Sequence, residues 1–143
     1  MTDPYNLQRF IDAQEGIFAT ALAELKAGSK RSHWMWFVFP QIAGLGMSPT
    51  SRLYAIASLD EAQAYLNHPR LGARLIECVE AVLPWAASRN AEEIFGHIDA
   101  AKFRSSLTLF EQTGEGGQFA AALDLFFDGK RDNRTLALLN AAR

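Results

Sequence analysis

The segment Lys30-Arg31-Ser32-His33 runs straight into Trp34-Met35-Trp36-Phe37-Val38-Phe39-Pro40-Gln41. These residue types, this close together, can do chemistry. Cations at a helix start gather negative charge, because the first N–H groups of a helix have no intrahelical partner and point outward. Flat rings beside cations hold a group that is both planar and anionic, such as a nucleotide. Lys30, Arg31 and Ser32 are therefore candidate ligands for an anionic small molecule. Trp34 and Trp36 are candidate stacking faces, and Gln41 is a candidate reader of a base or amide edge. Histidine is the side-chain type suited to proton transfer near neutral pH, so His33 is a candidate general acid or base. The same string also fits solvated linker charges followed by a buried helix whose tryptophans are core.

A second cluster lies in Asp99-Ala-Ala-Lys102-Phe103-Arg104-Ser105-Ser106. On a helix Asp99, Lys102 and Ser106 share one side at steps of three and four. A lysine beside a small hydroxyl can activate it or bind a phosphate. Asp99 and Lys102 join His33 as catalytic candidates, and Arg104 and Ser106 join the ligand-binding set. A surface Asp99–Lys102 pair and serines at a close helix contact would account for the same residues.

Other chemistries lack their residues. His33, His68 and His97 are far apart, Cys78 is alone, and no pair has zinc spacing, so no metal is expected. No phosphate-binding loop, dinucleotide fingerprint or nucleophile elbow is present, and no cofactor is implied. Cys78, between Ile76 and Val79, reads as a small buried residue. A net charge of −2 argues against general nucleic-acid binding.

The elements that must position these groups read almost entirely as helix. A chain of 143 residues predicts one domain, spanning 1–143, large enough for a core without staples. A single cysteine points to a reducing compartment. Met1-Thr2-Asp3-Pro4-Tyr5-Asn6 carries no leader pattern, and the longest apolar run is far too short to span a bilayer. A cytoplasmic protein without a membrane segment is the expectation.

Leu7, Phe10, Ile11, Ile17, Phe18, Ala21, Leu22 and Leu25 form one stripe, predicting a single helix from Pro4 to Ala27. Ser32 is the expected cap of a short aromatic helix ending at Pro40. Ser48-Pro49 starts another short helix, and Ser58 with Glu61 forms a capping box for the next. Pro69 opens a helix carrying Leu71 to Leu83. Asn90 with Glu93 caps a short helix ending at Gly96, Asp99 caps the next, and Asp132 caps the last. The fold class predicted is all-α, a compact domain of about eight short-to-medium helices.

These residues also carry a resemblance. Asp3-Pro4-Tyr5-Asn6-Leu7, the Lys30–Phe37 block with Phe39-Pro40-Gln41, Gly44-Leu45-Gly46, His68-Pro69-Arg70-Leu71-Gly72 and Lys102-Phe103-Arg104-Ser105-Ser106 are similar to a small bacterial family of unknown function. Its members sometimes carry the label calpastatin, although calpastatin inhibitory regions are disordered. The resemblance spans essentially the whole chain. It implies a compact helical domain and brings no activity or catalytic residue. A more distant likeness, through Lys102-Phe103 and Thr113-Gly114, is to helical proteins that process NAD- and ADP-ribose-type nucleotides at N-glycosidic bonds. Two functions stand as expectations: binding or processing of a nucleotide-like or phosphorylated small molecule, or a non-catalytic module that binds a ligand or protein.

Overall fold

The computed structural model describes residues 3–142. Met1, Thr2 and Arg143 lie outside it, and with them the ends of the expected 1–143 domain and the start of the segment read as carrying no leader. The described residues form ten α-helices, more than the eight or so expected. They are α1 (Gln8–Gln14), α2 (Phe18–Lys26), α3 (Met35–Val38), α4 (Pro49–Leu53), α5 (Leu59–Asn67), α6 (Leu71–Val82), α7 (Ala91–Phe95), α8 (His97–Glu111), α9 (Gly117–Phe127) and α10 (Asn133–Ala141). A 3-10 turn, Leu83–Ala87, follows α6 at Pro84. The one β feature among the described residues is an isolated parallel bridge between Ile42 and Ile56. Among the described residues no helix is long and apolar enough to cross a membrane.

The expected helix from Pro4 to Ala27 is two helices. Gly16 sits at φ +74, a conformation that ends a helix and that glycine adopts without a Cβ penalty. The break lets α1 pack on α3 while α2 packs on α6. Gln14, at the end of α1, is buried: its amide nitrogen donates to the Phe37 carbonyl (2.7 Å) and the Tyr65 hydroxyl (3.2 Å), and its oxygen accepts from Arg74 (3.1 Å). A periodic apolar stripe cannot reveal such a break, because both halves keep the same spacing.

Helix α8 is the centre of the fold and packs against α5, α7, α9 and α10. Its Phe103 ring stacks on Phe95 (4.5 Å between centroids) and meets Phe39 edge-on (5.0 Å). Two turns further, Phe110 packs with Tyr65 and Phe119. The apolar end of the aromatic segment thus roots the 30–40 stretch in α8. Cys78 is fully buried on α6, and burial, with Glu77 adding to it, pushes its thiol up to about 12. A thiol reagent at pH 8 is expected to leave the native protein unmodified and to react once the chain is unfolded; prompt labelling of native protein would contradict the packing of α6.

Caps at Ser48, Ser58, Asn90 and Asp132 form as the sequence predicts, each side chain accepting from the N–H three residues on. The Ser58 box is only half made, because the Glu61 carboxylate turns to the Ala57 N–H and to Arg9 (2.8 Å). Asp99 is not a cap. Helix α8 starts two residues earlier behind Gly96, so Asp99 stands inside the first turn with its carboxylate free to meet side chains.

Candidate functional site

Ser32 does not cap the aromatic helix, which is only Met35–Val38 and has no side-chain cap. Its hydroxyl donates instead to Glu24 of α2 (2.5 Å). The same carboxylate accepts from the backbone N–H groups of Arg31 (2.7 Å) and Ser32 (2.9 Å) and from the Trp34 indole (2.9 Å). Partial burial pulls the Glu24 pKa upward. The bonds from the Ser32 hydroxyl, the Arg31 N–H, the Trp34 indole and the Ser32 N–H overcome this and bring it down to about 2. The donors that the sequence offered to an external anion at residues 31–34 are therefore filled by the protein's own carboxylate. Trp34 itself is fully buried. Arg31 and His33 are exposed, and His33 lines none of the cavities around the cleft.

Anchored this way, the segment carries Lys30 inward. Its side chain is only 8% exposed; the ammonium lies 2.8 Å from Asp99, donates to the Ser32 carbonyl (2.5 Å) and sits 5.0 Å from the centre of the Trp34 ring. Lys102, one turn along α8 from Asp99, lies 3.4 Å from the other Asp99 oxygen and 3.8 Å from the centre of the Trp36 ring. Segments distant in sequence thus meet at one carboxylate. Two lysines sharing one acid leave the cluster one positive charge in excess.

Trp36 and Lys102 open onto a cleft of about 400 Å³. One wall is Trp36, Gln41, Leu45 and Gly46; the other is the outer face of α8, with Ile98, Ala101 and Ser105 beside Lys102. Asp132 and Arg134 close one end and His97 stands at the rim. One oxygen of the Asp132 carboxylate, Oδ2, accepts from Ser105 (3.2 Å) and from the hydroxyl and N–H of Thr135 (2.5 and 3.1 Å). Among the described residues no three His, Cys, Asp or Glu side chains gather as a metal ligand set.

Of the remaining candidates, Gln41 lines the cleft. Arg104 lies elsewhere on α8 and clamps the loop before α10, donating to the carbonyls of Lys130 (2.8 Å) and Arg131 (2.7 Å). Ser106 is buried in the core, and its hydroxyl has no partner among the described residues. Its neighbour Ser105 is the serine that faces the cleft. Sequence reasoning passed over Ser105, Arg134 and Glu24. A wheel drawn from Asp99 favours Ser106 over Ser105, while Arg134 and Glu24 carry no local motif.

The fold and site define a small all-helical protein whose central helix presents a lysine to a tryptophan-walled cleft. The chain belongs to the DUF1810 family, described as protein of unknown function, whose pattern it matches over residues 4–139. It is similar to the conserved hypothetical protein Rv1873 of Mycobacterium tuberculosis, known from a crystal structure. The two are 49% identical and superpose with a TM-score of 0.93, over 96% of this chain and 99% of that one. Among curated proteins none matches the chain.

Proposed function

We propose that the protein binds a small anionic molecule with a planar group, a nucleotide-like or phosphorylated compound, in the cleft between Trp36 and α8. The observation that carries this reading is the position of Lys102. Lys30 already makes the closer contact with Asp99, so Lys102 supplies unneutralised positive charge beside a flat ring, 23% exposed and facing the cleft. Partial burial strengthens that charge toward an incoming anion, because water screens it less. Arg134 adds a second cation at the rim. The volume falls within the roughly 300–1,000 Å³ usual for small-molecule sites.

The same geometry favours binding without turnover. Cleavage of an N-glycosidic bond, as in NAD- or ADP-ribose-type compounds, calls for a carboxylate free to stabilise the developing cation or to activate water. Asp99 is held by two lysines, one at each oxygen, and Asp132 is fixed through its Oδ2 by Thr135 and Ser105. The aromatic run is no open docking surface either, since Trp34 and Met35 are buried and Trp36 and Phe37 half-buried.

NAD, ADP-ribose and nucleoside monophosphates, each raised to millimolar levels, should include at least one ligand that increases the melting temperature. Saturation a hundredfold above Kd stabilises by about 2.7 kcal/mol, enough to read as several degrees. Lys102→Met is expected to weaken that ligand about tenfold or more while melting close to the unliganded wild type. The absence of any shift across the panel would sink the proposal.

A further inference from the structure

Adjoining the cleft lies a smaller cavity of about 90 Å³, and Trp36, Gln41 and Gly46 line both. The backbone around Gln41 is held in place: the Gln41 carbonyl accepts from the Ile56 N–H (2.8 Å), and the Ala43 N–H donates to the Ile56 carbonyl (2.8 Å). Arg9 pins the chain before Ile56, donating to the carbonyls of Leu53 (2.8 Å) and Ala55 (2.9 Å). Within this frame the Gln41 side-chain nitrogen is buried and has no hydrogen-bond partner among the described residues. A buried donor left unsatisfied is costly, and native proteins rarely keep one without something that completes it.

We infer that Gln41 is the specificity-determining residue of the cleft, its amide nitrogen donating to an acceptor on the ligand's planar group where that group passes Trp36 toward the adjoining cavity. The inference rests on the reading of the cleft as a site for an anion joined to a ring. It narrows the ligand class. The ring must carry a carbonyl oxygen or a ring nitrogen as acceptor, and the anionic group must reach Lys102 and Arg134. The adjoining cavity is smaller than the roughly 150 Å³ that admits a benzene ring, so it takes the edge of a ring or one exocyclic group. A nucleoside monophosphate meets both demands. Phenyl phosphate has the anion and a ring but no ring acceptor.

Gln41→Met keeps the length of the side chain and removes the amide. Calorimetric titration of wild type and variant with AMP, UMP and phenyl phosphate tests the inference. The variant is expected to lose about tenfold in affinity for whichever nucleotide the wild type binds, the scale of one hydrogen bond. It should bind phenyl phosphate as the wild type does and melt no lower, because no bond within the fold is lost. Equal nucleotide affinity in the two proteins would overturn the inference and leave the cleft reading intact, with solvent completing the amide. Equal losses for nucleotide and phenyl phosphate, or a lower melting temperature, would also overturn it, since Gln41 would then be supporting the cleft and reading nothing. So would a wild type that binds phenyl phosphate and neither nucleotide. A wild type that binds none of the three would overturn the inference as well, and the cleft reading with it where NAD and ADP-ribose also leave the melting temperature unmoved.

Discussion

Gly72→Ala is expected to destabilise the protein by about 3 kcal/mol or more, which lowers the melting temperature by roughly 10 °C in a chain of this size. Gly72 lies in the first turn of α6, where the end of α5 crosses it. A Cβ there would stand 1.9 Å from the Leu66 carbonyl oxygen, 2.8 Å from its carbon and 3.2 Å from its Cα. All three are backbone atoms, so no rotamer change relieves the clash. The two helices would have to separate, and the Gly72 N–H bond to the His68 carbonyl (3.0 Å) would go with them. Gly117→Ala is the matched control. It opens α9, has nothing within 4 Å of a Cβ and is not at positive φ, so it should be neutral or stabilise by about 0.4–1 kcal/mol. Urea denaturation of the two variants reads the contrast directly; a Gly72→Ala protein as stable as wild type would refute the close crossing of α5 and α6.

Glu24→Ala should cost about 3 kcal/mol, because it strands the Arg31 and Ser32 N–H groups, the Ser32 hydroxyl and the Trp34 indole at once. It should also weaken ligand binding, since those bonds hold Lys30 against Asp99. The pH dependence gives a separate signature. The Glu24 pKa is depressed on folding, from 4.5 to about 2. Its contribution is therefore fully present above about pH 4.5, where the unfolded chain is ionised too, and drains away as pH falls through the folded value near 2. Partial exposure screens the interaction, so about 2 kcal/mol is expected to disappear across that window. Glu24→Gln should be less stable at pH 7, and its stability should fall less than that of wild type between pH 4.5 and 2. Parallel acid profiles for the two proteins would show that Glu24 does not hold the loop.

How far the sequence is readable follows from which signals are local. Caps at Ser48, Asn90 and Asp132, and the end at Gly96, depend on residues within one turn, and the structure has them where the spacing puts them. The break at Gly16 and the role of Ser32 depend on partners elsewhere. Ser32 has every mark of a cap until Glu24, on the neighbouring helix, competes for its hydroxyl. The site divides in the same way. Helical periodicity does bring Asp99 and Lys102 together, one turn apart. Which serine joins them is set by how α8 is rotated against α5, α7, α9 and α10, and that rotation turns Ser106 into the core and Ser105 toward the cleft. The meeting of Lys30 with Asp99 is tertiary throughout, requiring both the Glu24 anchor and the packing of Phe39 on Phe103.

The three tryptophans supply the most direct test of the cleft. In a spectrum of the indole N–H groups, Trp34 is bonded to Glu24 (2.9 Å) and Trp85 to the Lys26 carbonyl (3.1 Å), while Trp36 faces Lys102 across the cleft. Addition of the nucleotide that raises the melting temperature should move the Trp36 signal in a saturable way, leave Trp85 in place, and require about tenfold more nucleotide to reach the same movement in Lys102→Met. A shift confined to Trp85, or a Trp36 signal unmoved while the protein is demonstrably saturated, would contradict the assignment of the ligand to this cleft.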